Sequence, residues 1–182
     1  MMPRPLSPYA AGKLAGEHYV RVYARSMGLD GVSLRYFNVF GPRQDPSSPY
    51  SGVISRFARE MAEGRRPLIF GDGRQTRDFT HVANAVRANL LAMGSERPLL
   101  GEAYNVGAGG RTSLLDLVGA INEVLGTRIE PEFRPERAGD VRDSLASLDR
   151  IRRALGYEPA VDFADGLRRT LEKFDDTASP PP

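Results

Sequence analysis

A chain of 182 residues, 41% of them hydrophobic, can bury a sizeable core, and its size favours one domain or one domain with part of a neighbour. Its 25 basic and 23 acidic residues leave a formal charge of only +2, with no basic stripe for a polyanion, so nucleic acid is excluded as an expected partner. No apolar run reaches the roughly 20 residues of a membrane span, Met1 to Pro8 lack the blocks of a signal peptide, and the absence of cysteine removes disulfides, thiol catalysis and thiolate metal sites; a soluble cytoplasmic protein without membrane contact is expected.

Ser7-Pro8 reads as the N-cap and first position of a helix that runs to Met27, where Gly28 stops it. Gly31 to Val39 has the pattern of a buried or half-buried strand. From Phe40 to Gly52 the chain is rich in Gly, Pro, Ser and Asp, a loop long enough to suggest a functional use. A helix is expected over Val53 to Glu63, a short strand over Pro67 to Phe70 and a turn at Gly71-Asp72-Gly73. Arg77 to His81 then reads as extended, Val82 to Met93 as an amphipathic helix and Glu102 to Val106 as a strand. Thr112 to Leu125 is a further helix, with Thr112 as the expected N-cap and Gly126 as the stop, and two shorter helices follow near Asp149 to Leu155 and Phe163 to Phe174. Thr177 to Pro182 should be a frayed Pro-rich tail. Alternating helices and strands make the expected class α/β.

Tyr9 and Lys13 lie four positions apart on the first helix, so both side chains rise from one face. A tyrosine titrates near ~10, and an adjacent ammonium favours the phenolate, which makes the pair usable for general acid-base work. The same spacing also occurs in ordinary surface pairs, so the surrounding sequence must decide. Gly107 to Gly110 follows a strand and precedes a helix but is too short for a dinucleotide-binding glycine turn. His18 and His81 have no companions at metal-ligand spacing, and His81 is expected to cap or pack near its helix. Asp175-Asp176 reads as a solvated helix end.

Ser7-Pro-Tyr-Ala-Ala-Gly-Lys13, followed by Leu34-Arg-Tyr-Phe-Asn-Val-Phe-Gly-Pro-Arg-Gln-Asp-Pro46, resembles the extended short-chain dehydrogenases of the NAD-dependent epimerase/dehydratase family, and most closely the UDP-glucose and UDP-N-acetylglucosamine 4-epimerases. The resemblance continues through Gly71-Asp-Gly-Arg-Gln-Thr-Arg-Asp-Phe-Thr-His-Val82, Tyr104-Asn-Val-Gly107 and Arg137-Ala-Gly-Asp-Val-Arg142, and covers about residues 7 to 174. It implies the C-terminal part of a Rossmann-like doubly wound sheet, residues 1–45, and a smaller mixed α/β substrate domain, residues 46–176, with segments returning to the sheet.

By this resemblance Tyr9 is the general base, and Lys13 lowers its pKa and holds the nicotinamide ribose of NAD. The reaction implied is 4-epimerisation of a UDP-sugar: the base takes the 4-hydroxyl proton as the C4 hydride passes to NAD, a 4-keto sugar turns over, and the hydride returns to its other face. Asn38, Arg77 and Arg137 match positions that bind the diphosphate, and Asp140 one near the uridine ribose. Phe70 matches a segment lining the base pocket, with a core aromatic as the alternative. Ser147 stands where the family has Asp, and either can cap the following helix. The family's Ser or Thr partner of the catalytic Tyr and its glycine turn have no counterpart in these residues, so the isolated chain is expected to have little epimerase activity. Three alternatives stay open: a nucleotide-sugar 4,6-dehydratase or decarboxylase, a non-catalytic UDP-sugar-binding module, and a product without function. A homodimer through the helix carrying Tyr9 is a further expectation of the resemblance.

Overall fold

The structure, a computed structural model, describes residues 3–45, 52–137 and 141–177, with side chains described as far as residue 172. Helix α1 (Pro8–Ser26) begins as the sequence directs: Ser7 Oγ accepts the Ala10 N–H at 3.2 Å, and Pro8 occupies the first turn, where its missing N–H costs nothing. Its half-buried residues Ala10, Leu14, Glu17, Val20 and Arg21, with buried Ala24, form one stripe. Near its C-terminal end α1 comes close to Gly101, where a Cβ would lie 2.3 Å from the Arg21 Cα; only glycine fits there, and its φ of +71° agrees.

Strand β1 (Ser33–Tyr36) pairs in parallel with β6 (Ala103–Val106), Ser33 opposite Ala103 and Tyr36 opposite Val106. The strand expected to run on to Val39 breaks at Asn38, whose φ of +34° takes the backbone into the left-handed region. The chain then changes partner: β2 (Val39–Phe40) pairs in parallel with β5 (Thr80–His81). The single extended stretch expected over Arg77 to His81 is divided in the same way, because β4 (Thr76–Arg77) pairs antiparallel with β7 (Thr112–Ser113) while β5 serves β2. Strand β3 (Leu68–Phe70) pairs in parallel with β8 (Glu132–Arg134), which sequence periodicity did not mark.

Helices α2 (Val53–Ala62), α4 (Leu114–Leu125) and α6 (Phe163–Thr177) pack together around Ile54, Phe57, Met61, Ile69, Leu117, Ile121 and Leu167, each 2% exposed or less. Burial of each such side chain stabilises the fold by about 1.5–3 kcal/mol relative to exposure. A second cluster joins α3 (Val82–Met93) and α5 (Asp149–Leu155) to β1 and β6 through Ala88, Val106, Ile151 and Tyr157. The Tyr157 ring is fully buried and its hydroxyl donates to the Gly107 carbonyl at 2.9 Å; burial pushes its pKa up to about 12.

Two expected caps differ. The N-cap of α4 is Ser113, whose Oγ accepts the Asp116 N–H while Asp116 accepts the Ser113 N–H, a reciprocal pair that requires the cap to lie three residues before Asp116, as Ser113 does and Thr112 does not. Ser147 does not cap α5; its hydroxyl donates to Asp149 Oδ2 at 3.1 Å. His81 does cap α3, its Nδ1 accepting from the Ala83 N–H at 3.3 Å. The expected tail from Thr177 starts as the last residue of α6, and the remainder lies outside the described residues, as do the side chains of Asp175 and Asp176. Among the described residues no helix is long and apolar enough to cross a membrane.

Candidate functional site

Tyr9 is 74% exposed although it is aromatic and sits on a well-formed helix. Lys13, one turn on, places its Nζ 5.4 Å from the Tyr9 ring centroid. Both face a cleft of about 700 Å³ between α1 and β1, lined by Arg4 and Pro5 of the extended lead, by Leu14 and Glu17 of α1, and by Ser33 to Tyr36 of the strand. The four-residue spacing read from the sequence therefore becomes one face that opens on this cleft.

Glu17 and Arg35 fasten the helix to the strand beneath that cleft. Arg35 Nε donates to Glu17 Oε2 at 2.7 Å and Nη2 to Oε1 at 2.6 Å, a two-pronged pairing. The Arg35 guanidinium holds the Glu17 carboxyl below the usual carboxylate range against the opposing effect of burial, and Glu17 raises Arg35 in turn. Sequence reasoning missed this pair, since it joins residues 18 apart on two elements.

Asn38 lies between β1 and β2, with its Nδ2 donating to the Asp78 carbonyl at 3.3 Å and its own carbonyl accepting the Thr80 N–H at 3.2 Å. Asp78, fully buried, also escaped the sequence reading. Its carboxylate accepts from the Ala108 N–H at 2.9 Å and from Gly109 and Ala146 at 3.1 Å, which ties the segment after β6 to the approach to α5. The segment passes so close that a Cβ on Gly107 would lie 2.5 Å from Asp78 Oδ2. Three backbone donors satisfy a buried carboxylate that would otherwise be strongly unfavourable.

A second, smaller hollow of about 130 Å³ lies at the end of β3 and is lined by Phe70, Gly71, Asp72, Gln75, Glu136, Val141 and Arg142. Arg137 lays its guanidinium 3.6 Å from the centroid of the Phe70 ring, so the structure brings these two expected residues together. Gln75 Nε2 donates to the Phe70 carbonyl at 2.7 Å and fixes the strand end. Asp72 accepts the Arg74 N–H at 2.9 Å and Arg142 Nη2 at 3.0 Å; both hold its carboxyl below the usual range. Arg77 is held by backbone, with Nη1 donating to Thr76 O at 2.9 Å and Arg142 O at 3.2 Å. The Tyr9 cleft and the Phe70 hollow share no lining residue, and Asp140 lies outside the described residues.

His81 is 5% exposed, with its ring edge-to-face 5.6 Å from Phe40. Burial lowers its pKa, Arg169 of α6 lowers it further, and Asp165 opposes them.

Comparison with known proteins gives this arrangement its relatives. The chain is 42% identical to the UDP-glucose 4-epimerase of Mycolicibacterium smegmatis over 96% of its own length and 55% of that protein. It is 35% identical to a dTDP-glucose 4,6-dehydratase of an Actinoplanes species, over 92% of its own length and 51% of that protein. A solved UDP-glucose 4-epimerase of Thermotoga maritima with UDP-glucose superimposes with a TM-score of 0.91 at 40% identity, covering 98% of this chain and 56% of that one. The chain thus spans about half the length of the curated relatives it matches. The NAD dependent epimerase/dehydratase family matches residues 1–107, the stretch that carries Tyr9, Lys13, Asn38, Phe70 and Arg77, and with relatives this similar along nearly its whole length the chain belongs to that family.

Proposed function

We propose that this chain carries the proton-transfer and sugar-nucleotide-gripping residues of a UDP-sugar 4-epimerase, with UDP-glucose or UDP-N-acetylglucosamine as substrate. The observation that carries the reading is the Tyr9–Lys13 pair on one exposed face of α1, opening into a cleft of about 700 Å³. The residues fit a nicotinamide cofactor: among the described residues no carboxylate lies within salt-bridge distance of the Lys13 ammonium, so its three donors are available to a ribose diol. NAD, when bound, supplies the acceptor and donor of the C4 hydride. Tyr9 removes the proton of the sugar 4-hydroxyl and returns it after the ring turns. Lys13 holds its ammonium beside the Tyr9 ring and orients the ribose through its donors. Asn38, Arg77 and Arg137 bear on the diphosphate and Phe70 on the base, with Asp140 assigned to the ribose of uridine by resemblance alone. Residues 1–45 serve the cofactor side and residues 46–176 mainly the substrate side, in a cytoplasmic enzyme.

On the same reading, the 182 residues alone turn over little substrate, because the contacts named for the cofactor come from Tyr9 and Lys13 only. Two copies pair through α1, whose exposed Tyr19, Val22 and Tyr23 share a face. A second reading, a 4,6-dehydratase, is supported by the 35% identity to the dTDP-glucose enzyme. Calorimetric titration with UDP-glucose and UDP-N-acetylglucosamine, with and without NAD, followed by product analysis, separates these. Binding of a UDP-sugar by the chain is expected, and a 4-epimer rather than a stable keto sugar when NAD chemistry is completed. A folded chain that binds neither UDP-sugar refutes the substrate assignment, and a 4-keto-6-deoxy product replaces it with the dehydratase.

A further inference from the structure

Lys13 and Glu17 are four residues apart on α1, a spacing that puts their Cβ atoms about 5–6 Å apart and an ion pair within reach. The structure has a different arrangement. Among the described residues no salt bridge reaches Lys13, and its Nζ faces the Tyr9 ring. Both Glu17 oxygens are instead taken by Arg35 at 2.6 and 2.7 Å, with the Glu17 side chain 13% exposed and the Arg35 side chain 40%. A planar guanidinium can occupy both oxygens at once, which a lysine at the same place could not do. The pair lines the cleft that holds Tyr9 and Lys13.

We infer that the Glu17–Arg35 fork is a positioning device for Lys13: by engaging both carboxylate oxygens, Arg35 keeps Glu17 from capturing the Lys13 ammonium and leaves Lys13 beside Tyr9. This rests on the acid-base reading of Tyr9 and Lys13. Without Arg35, Glu17 is the carboxylate nearest along the helix, and the ion pair would draw Nζ toward the next turn, about 5.4 Å along the axis and away from Tyr9. The other charges nearby, His18 and Arg21 on α1 and Arg4 on the lead into it, are cationic or neutral and offer Lys13 no alternative partner. Arg35 is thus a positioning residue that acts through Glu17 on Lys13.

The chain has two lysines, Lys13 and Lys173, so labelling lysine with ¹³C and ¹⁵N gives two resolved side-chain signals, assigned with Lys173→Arg. The Lys13 titration is followed by NMR in the 182-residue chain and in Arg35→Gln, Glu17→Gln and the double variant. Arg35→Gln is expected to raise the Lys13 titration midpoint by about half a unit or more and to create a contact between Lys13 and Glu17 signals, since a freed carboxylate stabilises the ammonium. The double variant, with the competing carboxylate removed, is expected to return the midpoint to within about 0.2 units of the parent. A role confined to fastening helix to strand predicts no rescue, since the double variant lacks the fastening as fully as either single one. An unchanged midpoint in folded Arg35→Gln, or a rise that persists in the double variant, overturns the inference. If Arg35→Gln loses its cooperative melt, Arg35→Lys is the substitute, expected to show a smaller rise because one oxygen of Glu17 is freed; no rise there overturns the inference equally. The titration needs no turnover, so it can fail while Tyr9→Phe still abolishes epimerisation in the NAD-completed enzyme, and the converse result would refute the acid-base reading alone.

Discussion

Helices α1 and α2 show what packing does and does not do in this chain. Helix α2 has ten residues and buries five of them, among them Ile54, Phe57 and Met61. Helix α1 has nineteen residues and buries one, Ala24, while Tyr9, Tyr19, Val22 and Tyr23 remain 46% to 74% exposed. The stability of α2 therefore comes from its apolar stripe, as is usual for short helices. Helix α1 draws on its Ser7 cap, the Glu17–Arg35 fork and its length, and leaves Tyr9 and much of its apolar surface facing outward. Substitutions in the α2–α4–α6 core should therefore read out in folding, and those on α1 in binding and catalysis.

The largest test of that contrast is Leu117→Ala. The side chain is fully buried between α2, α4 and α6, and its loss should cost about 2–5 kcal/mol in urea denaturation, the range for a cavity left in a packed core. A cost under about 1 kcal/mol would mean that this core collapses freely and that the contrast with α1 is wrong. Asp78→Ala should follow at about 2–3 kcal/mol, because it leaves the Ala108, Gly109 and Ala146 N–H groups without their acceptor; restored stability on Asp78→Asn would show that one neutral acceptor suffices.

A smaller effect is expected at His81, and its sign follows from the direction of its pKa. Burial depresses the folded-state value below the ordinary 6.5, so the unfolded chain binds the proton more readily. The stability is complete above pH ~6.5 and falls as the pH drops toward the folded value, by at most about 1.4 kcal/mol per pH unit. Protonation also removes the Nδ1 lone pair that accepts the Ala83 N–H at the start of α3, with Arg169 and Asp165 of α6 the charges that face the ring. Urea titrations at pH 7.5, 6.5 and 5.5 should show this acid loss in the parent and a smaller one in His81→Asn, which retains a cap; parallel slopes in the two proteins would remove His81 from the account.

The helices were legible in the sequence because their signals are local. Ser7-Pro8, the Gly126 stop and the apolar spacing of Val53 to Ala62 each depend on residues within a turn or two. The short strands were less legible, because two or three residues carry too little periodicity. The choice of partner is tertiary as well, as where Asn38 passes the chain from β6 to β5 or where Glu132–Arg134 joins β3. Within the site, Tyr9 and Lys13 were legible as one helix face, while Glu17–Arg35, Asp78 and the stacking of Arg137 on Phe70 join residues 18 to 68 apart. No spacing rule reaches across such separations. Thr112 was mistaken for the cap of α4 because Thr and Ser are adjacent and equally suitable, and only the reciprocal bond to Asp116 distinguishes them.

The smallest folding effect is expected on the outward face of α1, and it sharpens the comparison most. Val22 is 58% exposed and flanked on its face by Tyr19 and Tyr23, so Val22→Glu removes little buried area and should change the folding free energy of the monomer by no more than about 0.5 kcal/mol. The same substitution places a charge at the centre of the surface through which two copies are proposed to pair, and a buried unpaired carboxylate in such an interface is strongly unfavourable. Sedimentation velocity over a range of concentrations should therefore show self-association in the parent and its loss in Val22→Glu, with thermal melts of the two proteins coinciding at the lowest concentration. A parent that stays monomeric throughout would remove the second copy as the occupant of this face. Equal association in parent and variant would move the contact elsewhere on the molecule, and a large drop in monomer stability would mean that α1 is held by its outward residues after all, contrary to its contrast with α2.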